Sequence, residues 1–124
     1  MDVYTTPFHS TCSLAQAEEY LRQALGGAMN SYGTIHRGAL GARIWPRGVL
    51  TTEDWDDVLG APATGEVTWF VERGLGDDAY EAALDLMRTV VPRFAVDLDA
   101  ALVHLWERDS VLLTRLDGEL RFEA

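Results

Sequence analysis

The chain has 124 residues, 48% of them hydrophobic, with 20 acidic and 10 basic side chains and a formal net charge of −10. That length predicts one domain over residues 1–124, with an ordinary apolar core and no room for a second. A single cysteine, Cys12, excludes an intramolecular disulfide and any zinc site that needs two thiolates.

The acidity disfavours nucleic acid, whose phosphates need a dense array of cations, and it disfavours anionic membrane surfaces equally. No apolar run approaches the roughly 20 residues that cross a bilayer. The opening Met1 to Pro7 lacks the basic and apolar regions of a secretory signal, so a cytoplasmic location is expected. Every basic residue is arginine. Residues 1–50 carry three acids and four arginines, whereas residues 51–124 carry seventeen acids and six arginines, a net of −11. The densest cluster is Glu53, Asp54, Asp56 and Asp57 around Trp55.

In chain order, Val3 to Thr6 is a β-prone run closed by Pro7. Ser13 to Gln16 has the form of a capping box, and Leu14, Ala17, Leu21, Ala24 and Leu25 follow at helical spacing. Gly26-Gly27 stops that helix. Alternation over Tyr32 to Arg37 and Leu40 to Trp45, with Gly38 between, predicts two short antiparallel strands. Arg47 to Gly65 reads as a long loop with a helical turn near Thr52 to Leu59. Glu66 to Arg73 is a strand with Val67, Trp69 and Val71 on one face. Asp77 or Asp78 caps the next helix, whose stripe runs through Tyr80, Ala83, Leu84, Met87, Val90, Val91 and Phe94. Pro92 predicts a break there. Ala101 to Trp106, Ser110 to Leu116 and Glu119 to Phe122 form a meander, turning at Arg108-Asp109 and at Asp117-Gly118. The fold class is α+β: two amphipathic helices on a mainly antiparallel sheet in two layers, ordered β-α-β-β-β-α-β-β-β.

No catalytic signature stands out. His9, Ser10 and Cys12 are close in sequence, but nothing around Cys12 marks a nucleophile. His36 and His104 lie in predicted strands and read as interior residues with one hydrogen bond each. The acidic cluster lacks the spacing of a calcium loop, and the glycines form neither a P-loop nor a dinucleotide fingerprint. Trp69 and Trp106 read as core residues of central strands. Trp55 has two readings, a hot spot for a cationic partner or the apolar anchor of its own loop.

The run Gly65 to Arg73, the helix through Tyr80, Leu84, Met87 and Val91, and the ending Asp99 to Val103 with Val111 to Leu120 resemble the Sit immunity protein family. The resemblance covers about residues 65–124 and closes on Arg115, Gly118 and Leu120. It implies a small bacterial protein that protects its cell by binding a toxin exchanged between neighbours, with no catalytic residue of its own.

The expectation is therefore a non-catalytic, acidic binding protein, an immunity protein for a basic toxin, using neither cofactor nor metal. Glu53, Asp54, Trp55, Asp56 and Asp57 are the candidate partner-binding residues. The alternative is an enzyme or small-molecule binder with a helix–sheet pocket lined by Trp45, His36 and Cys12. A homodimer formed by pairing of an exposed edge strand is a further option.

Overall fold

A computed structural model describes residues 1–47, 55–107 and 110–123. Its elements are β1 (Asp2–His9), α1 (Leu14–Leu25), β2 (Ala28–Met29), β3 (Ile35–Arg37), β4 (Leu40–Pro46), α2 (Asp56–Leu59), β5 (Gly65–Val71), α3 (Asp77–Leu98), β6 (Ala101–Trp106), β7 (Ser110–Leu116) and β8 (Glu119–Phe122). The strands form one antiparallel sheet in the order β2-β3-β4-β5-β1-β6-β7-β8. Helices α1 and α3 pack together on one face, giving the expected two-layer α+β arrangement. The sequence pattern had not marked β2, and residues 52–54 of the expected helical turn lie outside the described residues. So does the Arg108-Asp109 turn.

Alternation decides which side chains face the helices. On β1, Tyr4 and Phe8 point into the main core, joined by Val67, Trp69 and Val71 of β5 and by Leu40 and Ala42 of β4. Helix α1 supplies Ala17, Leu21, Ala24 and Leu25; α3 supplies Ala83, Met87, Val90, Val91, Phe94, Ala95 and Leu98. Phe8 meets Phe94 edge to face at 5.6 Å, and both are fully buried. Burying an aromatic of that size contributes roughly 1.5–3 kcal/mol, so this pair fastens the longest helix to the middle of the sheet.

Three expectations need correcting. Helix α3 does not break at Pro92 but continues to Leu98. Proline removes one helical hydrogen bond, at a cost of about 3 kcal/mol. Phe94, Ala95 and Leu98 are buried beyond it, and their burial offsets that cost. Trp106 is 43% exposed rather than a core residue, because it is the last residue of β6, where the ladder ends. His36 is exposed rather than interior, since β3 is a three-residue strand near the edge of the sheet.

The first strand is also longer than its β-prone run, because Pro7 lies inside it. The β1–β6 register runs Tyr4↔Trp106 and Thr5↔Leu105, lapses at Thr6 and Pro7, and resumes at Phe8↔Leu102. A central strand thus carries a residue without an amide donor where its ladder is interrupted.

The ends of the elements follow local chemistry. Ser13 Oγ accepts from the Gln16 amide at 3.1 Å, and Gly26 closes α1 in the left-handed conformation. Arg115, on β7, donates to the Ala95 and Ala100 carbonyls and to Asp99 at the end of α3, placing a cation on the negative pole of that helix. Asp117 and Gly118 both have positive φ, 52° and 78°, as the β7–β8 hairpin turn requires.

Gly65 starts β5 at a close approach. A Cβ there would lie 2.7 Å from Phe8 Cζ, 2.9 Å from Leu14 Cδ2 and 3.1 Å from the Trp45 carbonyl oxygen. Gly65→Ala is expected to cost about 1–3 kcal/mol through overpacking, read as a lower urea midpoint with an unchanged slope.

Candidate functional site

The loop before β5 holds the described part of the acidic cluster. Glu53 and Asp54 lie outside the described residues. Asp56 accepts two hydrogen bonds from Arg47, at 2.9 and 2.7 Å, and a third from the Ala63 amide at 2.9 Å. Arg47 also donates to the Ala63 carbonyl. The Arg47 hydrogen bonds, followed by that of Ala63, hold the Asp56 carboxyl below its ordinary range. Asp56 therefore latches the loop onto the end of β4. Trp55 is half-buried and packs on the second apolar cluster, Leu59, Ala63, Val103 and Leu105, on the face of the sheet opposite α1 and α3. Asp57 is exposed. Asp56→Asn should loosen the latch, so hydrogen exchange at the Ala63 amide should speed up while the core amides of β1 and β5 keep their protection.

A second acidic surface lies on α3. Asp77, Asp78, Glu81 and Asp85 are all exposed. At about 100° per residue, the four helical acids fall within an arc of about 100° on the side turned from the core. Neither Asp77 nor Asp78 caps α3 as expected: Gly76 is the N-cap, with no side-chain cap hydrogen bond, and the two acids occupy the first turn, where the positive pole of the helix favours them. Asp85 shares a solvent-exposed i,i+3 contact with Arg88, a kind of pair that contributes little to stability.

A third polar group ties the start of β1 to α3. Arg73 holds Asp2 with two hydrogen bonds, at 3.2 and 2.9 Å, and lies 4.3 Å above the Tyr80 ring. The Tyr80 hydroxyl donates to the same carboxylate. Arg73 first, then Tyr80, lower the pKa of Asp2; the bond to Asp2 pushes Tyr80 up to about 12. Deeper in, Tyr4 stacks on His104 at 5.8 Å, and Trp69 meets the same imidazole edge-on at 6.1 Å. Thr6 Oγ1 accepts from Trp69 Nε1 at 2.8 Å and lies 2.8 Å from His104 Nδ1. With Thr6 donating to Nδ1 of a neutral ring, its hydroxyl both accepts the indole proton and gives up its own. Burial lowers the His104 pKa to about 4, which keeps it neutral.

The residues near Cys12 do not assemble. His9 Nδ1 donates to the Pro62 carbonyl at 2.8 Å, whereas Ser10 Oγ donates to the Leu98 carbonyl at 3.0 Å and accepts from the Cys12 amide. Cys12 packs on the helix side of the sheet. Trp45 lies on the opposite face, bonded to Thr68 Oγ1 at 3.0 Å and covered by Arg43 at 4.0 Å. Trp45, His36 and Cys12 therefore do not line a common pocket. A groove of about 340 Å³ instead lies between the β3–β4 turn and α3, lined by Arg37, Gly38, Ala39, Ala79, Ala82, Ala83 and Leu86. Among the described residues no group of three or more His, Cys, Asp or Glu is placed to hold a metal ion. Among the described residues, no helix is long and apolar enough to cross a membrane.

The acids at 77, 78, 81 and 85 lie at helical spacing, a signal passed over in favour of the contiguous Glu53 to Asp57 run. The Asp2–Arg73–Tyr80 group joins residues more than seventy positions apart, which no local pattern reveals. No family model, curated protein or solved structure matches the chain.

Proposed function

We propose that this chain is a non-catalytic binding protein that neutralises a basic protein partner stoichiometrically, as an immunity protein does for its cognate toxin. One observation carries the reading: Asp77, Asp78, Glu81 and Asp85 stand exposed together on one face of α3 in a −10 chain. Such a predominantly acidic surface steers a cationic partner and raises its association rate. A nuclease toxin fits it well, because a cleft shaped for phosphates accepts an array of carboxylates. The polar groups away from that face support the same reading, since Asp2, Arg73 and Tyr80 bind one another at the surface and Thr6 joins His104 to Trp69 inside the fold. The resemblance to Sit immunity proteins spans β5, α3 and β6 to β8, the part of the chain that includes this ridge.

The test is co-expression with the product of the adjacent gene. Growth restored only when this chain is present, with the two proteins copurifying one to one, supports the reading. A product that is harmless, or that kills equally well beside this chain, rejects it.

The groove beside Arg37 favours a second reading, an apolar small molecule held between sheet turn and helix. Native mass spectrometry of the purified protein separates the two: a retained metabolite supports a ligand-binding role, and a bare chain counts against it.

A further inference from the structure

Strand β8 lies at one margin of the sheet, with β7 as its neighbour. Its four residues, Glu119-Leu120-Arg121-Phe122, alternate two charges with two apolar side chains. Leu120 and Phe122 point to the helix face, where they lie opposite Arg115 and Leu113; Glu119 and Arg121 point to the other face. Phe122 is 62% exposed at the end of the chain's last strand. The Glu123 amide donates to the Leu112 carbonyl of β7 at 2.9 Å. By alternation the amides of Glu119 and Arg121 also turn inward, so those of Leu120 and Phe122 point out from the edge. A sheet margin of this kind is a template for another strand.

We infer that this chain forms a weak two-fold dimer in which β8 pairs antiparallel with β8 of a second copy, centred on Leu120. The register follows from elimination. Two copies that keep their helix faces on the same side, with outward amides opposed, have four central alignments; the one on Phe122 sets Arg121 against Glu123, beyond the strand, and leaves Glu119 and Leu120 with no β8 residue opposite, so three compete. One sets Glu119 against Glu119 and another sets Arg121 against Arg121, and like charges directly opposite destabilise a pair. The third places Leu120 opposite Leu120 and Glu119 opposite Arg121 twice.

The same register serves the apolar side. Phe122 then lies beside Gly118 of the second copy, which has no side chain to block it, and diagonal to the second Leu120. Within one chain, Arg121 Nη2 is 3.7 Å from Glu119 Oε1, a loose contact between side chains 67% and 74% exposed. Such a pair contributes little by itself, so both groups are available across the seam. Four residues a side fall short of the roughly 1,200 Å² of a standard stable interface, hence a weak and concentration-dependent dimer. Partner capture by α3 is a separate matter, and neither inference depends on the other.

Sedimentation velocity tests this with the full chain from low micromolar to roughly 1 mM. The wild type should shift from monomer towards dimer across that range. Glu119→Arg and Arg121→Glu should each weaken self-association about tenfold or more, because each turns both charge pairs repulsive. An equal mixture of the two variants should recover dimer, since one chain then presents only carboxylates along this edge and the other only guanidinium groups. Thermal melts should coincide with wild type, as the substituted side chains are exposed. A wild type that stays monomeric throughout, variants that associate like wild type, or a mixture that stays monomeric would each overturn the inference.

Discussion

Trp69→Ala should cost about 3–5 kcal/mol, a large part of the roughly 5–15 kcal/mol that holds a domain of this size folded. Trp69 is fully buried on β5, between Tyr4 of β1 and Ala42 of β4. Its loss removes apolar burial, opens a cavity and deprives Thr6 Oγ1 of the indole donor at 2.8 Å. It also removes the edge contact that fixes the His104 ring. Trp69→Phe keeps most of the volume and loses mainly the hydrogen bond, so it should cost about 1–2 kcal/mol. Urea denaturation followed by circular dichroism checks both values. Equal midpoints for the two variants would mean that packing at this site contributes little.

The second large effect is acid lability centred on His104. Its folded pKa, about 4, lies below the ordinary 6.5 because burial disfavours the charged ring. Between those values the unfolded chain binds a proton that the folded chain refuses. Stability contributed by the neutral ring is therefore complete above about pH 6.5 and falls as pH drops towards 4, by roughly 3 kcal/mol. The groups facing the ring are Tyr4, Thr6 and Trp69, none of which supplies a negative charge at these pH values. Asp2 and Asp56, with lowered pKa values, act at lower pH: their stabilisation is lost as pH falls below the ordinary 3.8. His104→Asn keeps an acceptor for Thr6 and cannot titrate. Its unfolding free energy should be nearly flat from pH 6.5 to 4.5, where the wild type declines. Parallel slopes for the two would place the acid sensitivity elsewhere.

These effects show where the sequence was legible. Period-two alternation identified β5, the Asp117-Gly118 turn identified the β7–β8 hairpin, and period 3.6 identified α1, because each signal needs only neighbouring residues. Pro92 misled because local geometry argued for a break while Phe94, Ala95 and Leu98 found a core to fill. The ladder lapse opposite Pro7 depends on β6, nearly a hundred residues away, so the first strand looked shorter than it is. Asp56 read as a partner-binding residue, and its internal partners, Arg47 and the Ala63 amide, went unseen because they come from opposite sides of the loop.

The most direct measurement is the association rate of this chain with the product of its adjacent gene, at low and at high salt. The variant to compare carries Asp77→Asn, Asp78→Asn, Glu81→Gln and Asp85→Asn together. If the ridge on α3 guides capture, wild-type association slows about tenfold or more as salt rises, and the variant is slow at both. A wild-type rate indifferent to salt, or a variant that associates as fast as wild type, would contradict capture through that surface.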